Sequence, residues 1–286
     1  MSKQRVKRWK SRFWCVLFLV ITVIYMAPLI VTFANSFMSS TEVERNYNIS
    51  EMEESYVDMN IIPEKVTLSQ YAELLFDSQV YLYMFWNSIN ITVPIVVGQI
   101  IVSTLAAYAF TVLKFKGKEL LFFLYIIVML LPLQVTLMPN YIVADWFHIT
   151  DSYLAIILPG IFHPFGVFLL RQFMKSMPDA YMEAAKIDGA GHGIIFISII
   201  VPMIKPGIAA TVMLTLLDYW NLVDQAVIFI HDAEKQPLST FLAQINHGDI
   251  GLSFASSCFY VIPMLLVVFY GQEYLKQGIG ITGING

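Results

Sequence analysis

The sequence predicts an all-α membrane protein of about six transmembrane helices, and three observations carry that expectation. Of its 286 residues, 57% are hydrophobic and 13% charged, whereas a soluble domain carries about a quarter charged. The apolar residues gather in runs of about 20, the length a helix needs to cross a bilayer core. Lys and Arg gather in alternate connections between those runs, the pattern that sets membrane orientation.

Taken in order, residues 1–12 form a basic N-terminus with Lys3, Arg5, Lys7, Arg8, Lys10 and Arg12. Residues 13–34 are the first span. The run exceeds a signal h-region and no clear Ala-x-Ala site follows, so it is expected to stay uncleaved. Residues 35–83 turn acidic, with Glu42, Glu44, Glu51, Glu53, Glu54, Asp58 and Glu64 opposed by Arg45 and Lys65. They read as an extracellular loop or small cap.

Residues 84–276 hold the remaining spans. The second runs from Met84 to Leu113, with Ser103, Ala106, Ala107 and Ala109 small enough for close helix approach. The third, after Glu119, is interrupted by Pro132 and Pro139. Leu131 to Asn140 is therefore either a channel-lining hinge or a simple kink. The fourth covers Tyr153 to Phe173, the fifth Ile194 to Leu217 and the sixth Phe254 to Tyr274, before a glycine-rich tail at residues 277–286. The positive-inside rule puts the N-terminus, Lys114, Lys116, Lys118, Arg171, Lys175, Lys186 and Lys276 on one side. Both termini are then cytoplasmic, in a multi-pass membrane protein.

Several chemistries lack their residues. Cys15 and Cys258 lie in apolar runs without metal-ligand spacing. No phosphate-cradling Gly-x-x-x-x-Gly-Lys-Ser/Thr loop occurs, nor any His-Glu-x-x-His or Gly-x-Ser-x-Gly arrangement. The chain is expected to be a non-catalytic subunit that binds no cofactor and no nucleic acid.

A polar island, residues 174–193, joins the fourth and fifth spans. Ser176-Met177-Pro178-Asp179 has the residues of a helix start: a capping serine, an early proline and an acidic first turn. Gly189 suits a left-handed stop. Ala180, Ala184 and Ile187 fall on one face at spacings of four and three. From spacing alone, an ordinary loop with a helical turn is the plainer reading.

A resemblance shifts that balance. Glu183-Ala184-Ala185 with Gly189, then Pro202 after a helical interval, resembles the signature loop of ABC importer permeases. The likeness is to the maltose-type, carbohydrate-uptake branch. It extends from Tyr153-Leu154-Ala155-Ile156-Ile157-Leu158-Pro159 through Phe168-Leu169-Leu170-Arg171-Gln172-Phe173 to Pro206, with weaker echoes at Leu131-Pro132-Leu133-Gln134-Val135, Trp220-Asn221 and Gln272-Glu273-Tyr274. Gly191-His192-Gly193 departs from the family's bulkier or more polar residues, and Trp220-Asn221 lacks the acidic residue that often follows.

The resemblance implies a cytoplasmic coupling helix, with Glu183, Ala184, Ala185, Asp188 and Gly189 meeting a cytoplasmic ATPase. It implies a second homologous permease, two ATPase subunits holding ATP and Mg, and an extracellular or periplasmic solute-binding protein. The solute is expected to be a sugar or oligosaccharide. Asp218, Tyr219, Trp220, Asn221 and Asp224 are substrate-pathway candidates, aromatic faces beside hydrogen-bonding groups. Their other reading is an interfacial aromatic belt with the aspartates in water. The alternatives are an ABC importer of a non-sugar solute and an ion-gradient-driven transporter. The latter calls for ionisable residues at mid-membrane, and the first four spans are nearly free of them.

Overall fold

The computed structural model describes residues 3–47, 62–77, 79–244 and 250–282, with side chains over residues 12–47, 62–77, 79–244 and 250–274. Glu51, Glu53, Glu54, Asp58 and the last residues of the tail lie outside the described residues. Among those described, every regular element is a helix. Four helical segments are long and apolar enough to cross a membrane, and two bent pairs raise the number to six.

The chain divides into two compact units, Met1–Leu82 with Gln244–Val261, and Tyr83–Ala243 with Ile262–Gly286. In the first, α1 (Lys3–Asn35) contains the Arg12–Asn35 span, whose most apolar stretch is wholly unburied by the rest of the chain. That exposure suits a helix solvated by lipid or by another subunit. α2 (Ser40–Tyr47) folds part of the acidic stretch into a cap. Glu42, 5% exposed, accepts the Glu64 backbone N–H at 2.8 Å, and Arg45 pairs with Glu64 at 2.7 Å. Ser36 and Tyr71 share a hydrogen bond of 2.8 Å beside buried Met38. The acidity is thus partly structural.

The second unit carries most of α3 (Gln79–Thr111), which starts five residues before the expected Met84. α4 (Lys118–Met129) and α5 (Leu133–Trp146) meet at 104°. Pro132 sits at the break with φ −65° and ψ 147°, whereas Pro139 lies inside α5. One proline of the pair makes the interruption. α6 (Leu154–Ile161) and α7 (Pro164–Lys175) form the fourth span, and α8 (Ala180–Ile187) follows. α9 (His192–Met203) and α10 (Lys205–Trp220) then meet at 71°. The expected fifth span, Ile194 to Leu217, is therefore broken. Pro202 has no N–H to give, and the turn before it is widened, with Val201 N–H reaching the Phe196 carbonyl in a π-helical stretch. α11 (Asp224–Phe229), α12 (Leu238–Ala243) and α13 (Ile250–Thr282) complete the chain, α13 starting before the expected Phe254.

Small residues set helix separations here. A Cβ on Gly207 would come 2.7 Å from the Phe173 ring, so α10 lies against α7 only because that position has no side chain. At the other end, the connections before α6 and after α11 are clamped together. Asp151, in a left-handed conformation at φ 57°, accepts the His231 and Asp232 backbone N–H groups at 3.0 and 3.1 Å. Lys235 bridges it to Asp232, at 3.6 and 3.2 Å.

Candidate functional site

The island forms the short helix α8, closed by a glycine. Gly189 has φ +77°, its N–H meets the Lys186 carbonyl at 3.1 Å, and Ala190 N–H meets the Ala185 carbonyl at 2.9 Å. That pair of bonds is the Schellman closure, which needs a left-handed residue where Gly189 stands. The start differs from the expected cap. Ser176 Oγ donates to the Phe173 carbonyl at 2.8 Å, finishing α7, and Asp179 makes no side-chain cap bond.

The two faces of α8 have different roles. Ala185, 8% exposed, packs with Met182 against a core of Ala107, Tyr108, Leu170, Met174, Ile195, Ile200 and Ile204. Among the expected docking residues, Ala185 is thus turned into its own chain. Ala180, Glu183, Ala184 and Asp188 are exposed, and so are two large apolar side chains, Tyr181 at 54% and Ile187 at 85%. The outward face combines a bare isoleucine, small alanines and carboxylates. The exit is held rather than loose: the His192 ring sits 2.9 Å from the Tyr108 hydroxyl.

Beneath the island lies a contact that charge patterning did not reveal. Arg171 of α7 is 3% exposed and donates from Nε to the Phe110 carbonyl at 3.1 Å. It also donates to both Glu119 oxygens at 3.2 Å and stacks 3.7 Å over the Phe122 ring. Lys118 Nζ donates to the Thr111 and Leu113 carbonyls at 2.9 and 3.1 Å. Two residues that marked orientation in the sequence therefore bind the end of α3 to α4 and α7.

A cleft of about 390 Å³ is lined by Leu133, His163, Asp218, Tyr219, Asn221, Leu222, Val223, Asp224 and Gln225. Four of the five pathway candidates meet there. Trp220 does not: it is 3% exposed and meets Phe85 edge-on at 5.7 Å. Helix ends converge on the cleft, with Leu133 opening α5, His163 preceding α7 and Asn221 ending α10. Interrupted backbone at membrane depth is tolerated where protein or a cavity surrounds it. Behind the cleft, Gln99 Oε1 accepts Thr215 Oγ1 at 2.6 Å, and Gln99 Nε2 donates to the His163 carbonyl at 3.5 Å. Leu133 falls within Leu131 to Asn140, the stretch expected to line a channel or form a kink, whereas His163 was absent from the expected pathway, its sequence signal the adjoining Pro164.

Residues 99–281 match a family described as "Binding-protein-dependent transport system inner membrane component". An arabinooligosaccharides transport system permease protein of Halalkalibacterium halodurans is 29% identical over 274 residues, covering 94% of each chain. An sn-glycerol-3-phosphate transport system permease protein of Yersinia enterocolitica is 30% identical over 280 residues, covering 93% of this chain and 95% of that one. Among solved structures, the fold is similar to a chain of a bacterial ABC transporter involved in the import of the acidic polysaccharide alginate. The TM-score is 0.81 at 21% identity, over 96% of this chain and 99% of that chain.

Proposed function

The chain belongs to the family of binding-protein-dependent transport system inner membrane components, and from that premise we propose that it forms half of the translocation pore of an ATP-driven importer of a sugar or oligosaccharide. A second homologous permease supplies the other half. Two cytoplasmic ATPase subunits hold ATP and Mg, a solute-binding protein delivers the solute outside, and this chain itself is non-catalytic. Both termini and α8 lie on the cytoplasmic side, in keeping with the basic residues gathered there.

The observation that carries the reading is the outward face of α8. Ile187 is 85% exposed and meets no covering surface among the described residues, on a helix rigidly closed at Gly189 and backed by a packed core. Small alanines beside it admit a close partner, and Glu183 and Asp188 offer acceptors to that partner's donors. When nucleotide draws the ATPase pair together, α8 moves as one piece with its apolar backing. The breaks at Pro132, His163 and Ile204 give the spans places to bend. In the cleft, Asp218, Tyr219, Asn221 and Asp224 offer the hydrogen-bonding and aromatic chemistry a polyol requires. The arabinooligosaccharides relative supports a saccharide solute. The sn-glycerol-3-phosphate relative favours a second reading, a polyol phosphate.

Co-purification from the native membrane in mild detergent tests the assembly. Wild type is expected to bring down an ATPase and a second permease. Gly189→Trp, which strains the left-handed stop and fills the docking face, is expected to lose the ATPase. A wild-type chain that emerges alone, under conditions preserving other membrane complexes, overturns the reading. Uptake that persists without ATP and collapses with an ionophore would point to gradient-driven transport instead.

A further inference from the structure

Docking by α8 leaves Gly191-His192-Gly193 unexplained. Gly191 lies in ordinary extended backbone, φ −73° and ψ 163°, and Gly193 has no positive φ. A Cβ on either would find no heavy atom within 4 Å. Neither conformation nor space demands glycine at these positions. The effect of the two glycines is to leave His192 as the segment's only side chain.

That side chain is engaged. Its Nδ1 lies 2.9 Å from the Tyr108 hydroxyl, and the same hydroxyl reaches the His192 carbonyl at 3.4 Å. The rings meet edge to face with centroids 6.2 Å apart. Tyr108 is 7% exposed near the end of α3, and Phe196 holds its ring in a second edge contact at 5.2 Å. Tyr108 is therefore a fixed post within the span, and His192 is tied to it three residues after the glycine that closes α8.

We propose that His192 is a positioning residue through which displacement of α8 is passed to the end of α3, the Tyr108–His192 bond acting as the joint. The proposal rests on the reading of α8 as the ATPase-docking helix. The core cluster that island residues Ala185 and Met182 share with Ala107 and Tyr108 of α3 is apolar and non-directional. Such a surface resists separation but not sliding. A hydrogen bond between a buried phenol and a ring nitrogen has one preferred geometry, so it fixes the register of the island against α3. The bare glycines let the chain pivot about the imidazole without other side chains sharing the load.

The test uses the complete importer in proteoliposomes, with a fluorescent non-canonical amino acid replacing Lys114 in the loop after α3. The signal is the fluorescence change on adding ATP with vanadate, which requires no knowledge of the solute. His192→Phe keeps the edge-on ring and removes Nδ1, Tyr108→Phe removes the hydroxyl, and His192→Asn keeps a polar atom near Nδ1. Both phenylalanine variants are expected to retain the ATPase while the ratio of responding to unresponsive complexes, read from the signal, falls about fivefold, the factor set by one neutral hydrogen bond. The double variant should fall no further, and His192→Asn should recover most of the signal. Full signals in the phenylalanine variants overturn the proposal, as does an asparagine variant no better than phenylalanine. Loss of the ATPase from the phenylalanine variants also overturns it, because the contact would then serve docking. A Gly189→Trp complex that keeps its ATPase and its signal would contradict the docking reading instead.

Discussion

Replacing Arg171 separates two accounts of what holds the end of α3. An account from charge makes the ion pair with Glu119 the main contribution. The geometry argues otherwise, because the Glu119 side chain is 74% exposed while that of Arg171 is 3% exposed. A carboxylate so well solvated gains little from pairing, about 0–1 kcal/mol. The buried guanidinium instead satisfies the Phe110 carbonyl, in the last turn of α3, where the negative end of a helix favours a cation. Leaving that part-buried acceptor unpaired costs up to about 1–3 kcal/mol, and the Phe122 stack adds about 0.5–2 kcal/mol. Arg171→Ala also loses its packed stem, so its cost is expected to be about 3–5 kcal/mol. Glu119→Gln keeps an acceptor for the guanidinium and is expected to cost about 1 kcal/mol or less. The assay is thermal inactivation of the purified protein in detergent, all variants at one scan rate. Glu119→Gln as damaging as Arg171→Ala would refute the reasoning and restore the ion pair to first place.

Other substitutions test separate parts of the account. Gly189→Ala places a Cβ in open space at φ +77°, so its cost is backbone strain alone, about 1–2 kcal/mol. That converts to a loss of about 5–30-fold in the closed helix, read as weakened ATPase binding, with Gly189→Asn falling between alanine and wild type. Gly207→Ala drives a Cβ to 2.7 Å from the Phe173 ring and should destabilise by about 1–3 kcal/mol in the same thermal assay. The Asp151 carboxyl is held below the ordinary carboxylate value, first by the Asp232 and His231 backbone N–H groups and then by Lys235. A depressed carboxyl stabilises fully above its unfolded value, near pH 4, and that contribution fades as pH falls through the folded value. Asp151→Asn should therefore lose stability at neutral pH and show a shallower decline than wild type on acidification below about pH 4. Parallel declines would refute it.

The spans were legible because bilayer thickness imposes a length and a composition that few other constraints imitate. The closure at Gly189 was legible too, since a left-handed stop needs a residue without Cβ. Features set by neighbours were not. Pro132 and Pro139 look alike in sequence, and which of them breaks the helix depends on what packs around each turn. Pro202 entered only through the resemblance, and the 71° bend at Ile204 divides the expected fifth span into two pieces. Ala185 and Ala184 are adjacent and chemically identical, and only the position of Ile195 and Tyr108 decides which faces inward. Arg171 read as an orientation marker because its acceptor is a backbone carbonyl, which leaves no trace in residue identity. His192 looked like a departure within a flexible segment because its partner lies 84 residues earlier. In the cleft, Asp218, Tyr219, Asn221 and Asp224 were readable from their polarity at a span end, whereas Trp220 shares that polarity and turns into the core.

The account stands or falls on what the outward face of α8 touches in the membrane. The measurement is site-specific photocrosslinking in native membranes, with a photoreactive residue placed at Ile187 or, on the opposite face of α8, at Ala185. The account predicts an adduct to a soluble nucleotide-binding subunit from Ile187, strengthened by ATP with vanadate, and only intrachain products from Ala185. Ile187 yielding no adduct to any soluble subunit, with the chain intact and inserted, would contradict it.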